Sequence, residues 1–164
     1  VNLPLDAKTR QTIIDMVDYL KASQEEDFQK AHPNIRAGIG LSANQIGINK
    51  RFFAIYMLDE DGNEIKYGLV NPKIIKNSLR KCALRSGEGC LSVKDDRHGY
   101  VYRYAKITLR AFDVFENKVI DIKAEGYLAI ALQHELDHLN GVLYYDHINK
   151  YNPEEVIDNS YLIG

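Results

Sequence analysis

The chain is short of cysteine, proline and methionine and has no tryptophan: two, four, two and none among 164 residues. Two cysteines, Cys82 and Cys90, make no disulfide framework, and Gly87 and Gly89 lie between them. In a reducing compartment a cysteine is a buried apolar residue, a ligand or a nucleophile. No sign of charge dominates. Lys and Arg total 21, Asp and Glu 23, so the formal net charge of −2 makes no general electrostatic bid for nucleic acid or an anionic membrane. No apolar run approaches the ~20 residues needed to span a bilayer. Residues 1–10 lack the basic start and apolar centre of a signal peptide, so a reducing cytosol is the expected compartment. Repeats, linkers and low-complexity tracts are also missing. What remains is one domain over residues 1–164, long enough for a substantial core.

Within that domain the patterning is mixed. Asp6 is a plausible N-cap, and Ile13, Ile14, Val17 and Leu20 repeat at helical spacing, predicting an amphipathic helix from Ala7 to about Asp27. His32-Pro33-Asn34 breaks the chain. Small residues then surround one amide side chain, Gln45, between Gly38 and Gly47. Arg51–Leu58 reads as a strand, and Asp61-Gly62 within Asp59–Asn63 as a hairpin turn. Glu64–Val70 and Lys73–Lys76 read as strand pieces around Asn71-Pro72, with Pro72 expected at an edge or a strand start. Leu79–Arg85 and Tyr100–Val114 are further strand material. Glu116-Asn117-Lys118 turns the chain into an alternating strand, Val119–Lys123. Asn152-Pro153-Glu154-Glu155 resembles the start of a short C-terminal helix.

The organising stretch is Gln133-His134-Glu135-Leu136-Asp137-His138. It sits on a helix that is apolar on more than one side (Leu128, Ile130, Ala131, Leu132, Leu136, Leu139), hence largely buried, and Gly141 stands where a C′ glycine would stop it. The fold class expected is α+β: mostly antiparallel strands packed around a buried metal-ligand helix, with a long N-terminal helix. His134 and His138, four apart, share a helix face. A buried histidine pair needs partners, and a metal ion supplies them. Glu135 lies about 100° around the helix from His134, in reach of a proton on a nearby water. H-E-x-x-H is a signature of metal-assisted hydrolysis.

A catalytic site of this type takes three protein ligands. In one group of zinc peptidases the third is a histidine six residues after H-E-x-x-H, where this chain has Tyr144. The third ligand therefore comes from elsewhere, with Cys90, Cys82, His98, His147 and Glu154 as candidates. Cys90 stands first on local grounds. Gly89 gives its backbone room, Glu88 and Ser92 offer hydrogen bonds, and a thiolate neutralises metal charge. Cys82 has ordinary strand neighbours and reads as a core residue. A zinc peptidase without need of Cys90 and a catalytically dead metal scaffold are the competing readings. An intact Glu135 argues against the second.

Three stretches together resemble peptide deformylase: Gly38-Ile39-Gly40-Leu41-Ser42-Ala43-Asn44-Gln45, Glu88-Gly89-Cys90-Leu91-Ser92, and Gln133-His134-Glu135-Leu136-Asp137-His138. The segment Cys90-Leu91-Ser92-Val93 and Tyr102-Arg103 look like the type 2 members of Gram-positive-type bacteria. Ser42 departs from the family pattern, which has alanine there. The chain begins after the N-terminal segment such members usually carry. The resemblance implies that Cys90, His134 and His138 hold one divalent metal, natively Fe²⁺, with Zn²⁺, Ni²⁺ or Co²⁺ as substitutes. It implies Glu135 as general base, with the Gln45 side-chain NH₂ and the Leu91 backbone N–H as donors to an oxyanion. Ile39, Gly40, Gly89, Tyr127, Ile130 and Ala131 would contact the substrate, mostly as an apolar pocket for methionine. The implied activity removes the formyl group from N-formylmethionyl nascent peptides, by a cytoplasmic monomer in passing contact with the ribosome. Arg103 is expected to pair with Glu88 or Asp137 and hold the ligand helix against the sheet.

Overall fold

The computed structural model describes residues 1–25, 38–85, 87–88 and 99–164. The expected break at His32-Pro33-Asn34 and the readings for Gly89, Cys90, Leu91, Ser92 and His98 lie outside the described residues. Among the described residues, helices α1 (Ala7–Ser23) and α2 (Gly126–Leu139) accompany eight strands: β1 (Gly40–Ser42), β2 (Phe52–Leu58), β3 (Glu64–Asn77), β4 (Lys81–Leu84), β5 (Arg103–Tyr104), β6 (Lys106–Asp113), β7 (Lys118–Glu125) and β8 (Ser160–Ile163). One sheet has the order β1-β2-β3-β6-β7, the other β5-β4-β8. The α+β class is the one the patterning implies. The chain divides into two units, Val1–Pro72 with Ala111–Ile120, and Lys73–Arg110 with Asp121–Gly164.

In the first unit, Asp6 caps α1 by accepting from the Thr9 backbone N–H at 2.7 Å. The helix ends at Ser23, four residues before the expected Asp27. There the Gln24 side chain donates to Gly38 O and Tyr56 O, both at 2.8 Å, and the chain leaves the helical path. Ile13, Met16, Val17 and Leu20 are the buried face of α1. β1 and β3 both pair antiparallel with β2, Gly40 opposite Ile55 and Phe52 opposite Val70. Gly68 has to be glycine. A Cβ there would stand 2.5 Å from Ile13 Cγ2 and 2.6 Å from Val114 Cγ2. Gly68→Ala should therefore lower stability by about 1–3 kcal/mol through overpacking, read as the urea midpoint. An unchanged midpoint would mean that α1 shifts without cost.

Pro72 lies inside the continuous strand β3 rather than at its start, just past Val70, where the pairing with β2 ends. Asn71 before it takes the left-handed conformation (φ 55°), which asparagine tolerates, and this local kink carries the strand past the missing N–H.

In the second unit, β4 pairs antiparallel with β5 and parallel with β8, Lys81 opposite Ser160. A strand at 160–163 replaces any C-terminal helix from Asn152. Pro153-Glu154-Glu155 is a fair helix start, but Val156 is exposed and Asn159 turns left-handed (φ 54°), so no second turn with a buried face can follow. Cys82 is fully buried beside Ala105 and Ile130, with Leu84, Tyr161 and Ile163 around them, in agreement with its reading as a core residue. Gly141 has φ 77°, the left-handed C′ position expected for it, and its N–H reaches His138 O.

Candidate metal centre

Helix α2 is tied to β5 by side chains of its own motif. The Gln133 carboxamide behaves like a strand edge, accepting from Tyr104 N–H at 3.0 Å and donating to Tyr104 O at 2.9 Å. Arg103, the other residue of β5, is buried and supplies the charge. Its Nε and Nη2 each donate to one Glu88 oxygen at 2.8 Å, and its Nη1 donates to Asp137 Oδ2 at 2.8 Å. The expected partner was Glu88 or Asp137. Arg103 holds both. Burial acts to discharge the guanidinium, but the two carboxylates outweigh it and raise its pKa further.

This places the ligand helix in register. His134 Nδ1 lies 2.9 Å from Glu88 Oε1. Burial raises the Glu88 carboxyl, but the bonds from His134 and Arg103 prevail and hold it below the ordinary carboxylate range. An ionised Glu88 needs the proton on Nδ1, so the lone pair of the neutral His134 ring sits on Nε2. That nitrogen is 3.2 Å from His138 Nε2. Two imidazole nitrogens so close need a proton or a cation between them. Glu135 Oε1 lies 3.9 Å from His134 Nε2, and one donor atom from each of His134, Glu135 and His138 falls within 4.8 Å of the others. Glu135 and His138 are buried, and the His134 side chain is only 11% exposed. Convergent imidazole nitrogens, a fixed tautomer and an adjacent buried carboxylate fit a divalent transition metal.

Tyr144 occupies the place of a peptidase-type third histidine and does something else. Its buried ring stacks on His134, with centroids 6.1 Å apart and planes 20° apart. His147 is turned to Asp137, with Nε2 2.8 Å from Oδ2. Glu154 is exposed.

The remaining site residues divide. Tyr127, in the first turn of α2, is 40% exposed, whereas Ile130 and Ala131 are buried. Burial and the nearby Glu88 charge raise the Tyr127 phenol. Ile39, Gly40 and Gln45 belong to the first unit. Ile39 O accepts from Tyr56 N–H at 2.9 Å, Gly40 opens β1, and Gln45 closes a short 3-10 turn, Ala43–Ile46. Gln45 Oε1 accepts from Ser42 N–H at 2.8 Å.

Three features escaped the sequence reading: the Gln133 contacts with β5, the placement of Glu88 on His134, and the His147–Asp137 pair. Only the first left a local signal, since a buried amide on an apolar helix must find partners.

Comparison with known proteins shows the family. The family model described as "Polypeptide deformylase" matches residues 1–154. A peptide deformylase of Oceanobacillus iheyensis is 43% identical over 98% of this chain and 86% of its own length. Peptide deformylase 2 of Bacillus subtilis is 44% identical over 99% of this chain and 88% of its own. Both relatives come from the Gram-positive group whose type 2 enzymes the sequence resembles. Among solved structures, a probable peptide deformylase from synechococcus phage S-SSM7 shares 33% identity with a TM-score of 0.70, covering 90% of this chain and 88% of that one. Peptide deformylase 1B of Arabidopsis thaliana shares 29% identity with a TM-score of 0.71, covering 92% and 74%.

Proposed function

Since the chain belongs to the polypeptide deformylase family, we propose that it hydrolyses the N-formyl group from the initiator methionine of nascent bacterial polypeptides and releases formate. One observation carries the proposal: two Nε2 atoms 3.2 Å apart on one helix face, with Glu135 beside them and the His134 tautomer set by Glu88. When bound by His134, His138 and Cys90, one divalent ion supplies polarisation of a water molecule and of the formyl carbonyl. The family resemblance makes Fe²⁺ the expected native ion, with Zn²⁺, Ni²⁺ and Co²⁺ as substitutes that the same donors accept.

Glu135 takes a proton from the attacking water as general base. The Gln45 NH₂ and the Leu91 N–H donate to the carbonyl oxygen as it gains negative charge, each such donor being worth ~3 kcal/mol. Glu135 then returns its proton to the departing amine nitrogen, the C–N bond breaks, and formate leaves. Ile39, Gly40, Gly89, Tyr127, Ile130 and Ala131 contact the formylmethionyl end. Residues 1–164 act as one catalytic domain, a cytoplasmic monomer that meets the ribosome in passing. No helix among the described residues is long and apolar enough to cross a membrane.

The test is formate release from formyl-Met-Ala by protein whose metal is identified by mass spectrometry. Formate in step with metal content is expected; a metal-loaded protein that releases none overturns the proposal. Cys90→Ser should lose its ion or its activity. A peptidase relying on the histidines and an acid would retain both.

A further inference from the structure

Ser42 is fully buried at the head of the turn that carries Gln45. Its hydroxyl lies 2.9 Å from Gln45 Oε1 and 2.7 Å from Asn44 Oδ1 and donates between them. Its backbone N–H donates to the same Gln45 oxygen at 2.8 Å. One amide oxygen has two lone pairs, and a single residue addresses both. The backbone N–H fixes the sense of the carboxamide, because a flip would set the NH₂ against it, and the hydroxyl adds a second contact that holds the oxygen in place. The end pointing away from Ser42 is the NH₂.

Sense matters for the chemistry. A carboxamide that met a developing oxyanion with its oxygen would repel it, while one that met it with its NH₂ would stabilise it. Alanine, which the family pattern has at this position, keeps the backbone donor and lacks the hydroxyl. The second hold on Gln45 comes from the hydroxyl that this chain carries there.

We propose that Ser42 is a positioning residue for deformylation: its hydroxyl and backbone N–H together lock the Gln45 carboxamide with the NH₂ toward the substrate's carbonyl oxygen. This rests on the reading of Gln45 as an oxyanion donor. An ordinary turn cap would show only in stability. A donor held for the transition state shows in kcat, with KM little changed.

The experiment is a double-mutant cycle of Ser42→Ala and Gln45→Ala in the metal-loaded enzyme, reading kcat and KM for formyl-Met-Ala together with the melting temperature. Ser42→Ala should lower kcat about fivefold, the size of one neutral hydrogen bond, at unchanged KM. In the Gln45→Ala background the same change should alter kcat by less than about twofold. If Gln45→Ala folds poorly, Gln45→Met, similar in size and without a donor, takes its place in the cycle. An active Gln45 variant with wild-type kcat sinks the donor reading, and this inference with it. A low kcat for that variant, beside a Ser42→Ala effect that is absent or equal in both backgrounds, sinks the positioning role alone.

Discussion

Glu135→Ala should cut formate release by roughly two to four orders of magnitude, the usual worth of a general base, while the protein keeps its fold and its ion. Glu135 is only 3% exposed, and its Oε1 stands 3.9 Å from His134 Nε2, close enough to share a water with whatever the two histidines hold. The same closeness allows a rival role, since its carboxylate groups with both imidazoles within 4.8 Å and could itself be a ligand. Metal content separates the two. A base leaves the ion behind when it is removed, and a ligand takes it away. Glu135→Gln refines the test, because it preserves shape and burial and cannot accept a proton. Both variants should be inactive and metal-loaded. Loss of the ion would make Glu135 a ligand. Activity within tenfold of wild type in a loaded variant would remove it from the proton pathway.

Spacing made the core of this site legible. His134 and His138 are four apart on a helix, and that geometry is local. The same holds for Asp6 capping α1 and for Gly141 ending α2 with φ 77°. What local pattern could not supply is contact across distance. Glu88 is 46 residues from His134, and nothing in either neighbourhood says that they meet. Arg103 was expected to pair with Glu88 or Asp137, yet its burial and its bidentate grip on Glu88 together with a bond to Asp137 required the fold. β8 was missed because four residues make a weak strand signal and its parallel partner β4 lies far back in the chain. Pro72 was half legible: it stands past the end of the β2 pairing, as a proline at a strand edge should, while the left-handed Asn71 lets the strand run on through it.

Arg103→Met should destabilise the protein by about 3–5 kcal/mol and weaken its hold on the metal by about 10–100-fold. Arg103 is 5% exposed, and its guanidinium makes three bonds of 2.8 Å to two carboxylates. Methionine fills the volume and leaves Glu88 and Asp137 without that charge. Buried Glu88 and partly exposed Asp137 then keep their hydrogen bonds to His134 and His147 but lose the one fixed positive charge between them. The metal effect follows through Glu88, which sets the His134 tautomer only while it is ionised. In the wild type, burial raises the Glu88 carboxyl, but His134 and Arg103 more than offset it and hold it low. A carboxylate with a lower pKa folded than unfolded adds stability above the unfolded value, about 4.3, and loses that contribution as pH falls through the folded value. Wild-type melting temperature should therefore hold down to about pH 4.3 and drop below it. Without Arg103 the burial effect regains weight, so the drop should begin at higher pH. Melting curves from neutral to acid pH, with metal content measured alongside, read all three effects. Unchanged melting and unchanged metal content in Arg103→Met would show that Gln133 alone is enough to hold α2 on β5.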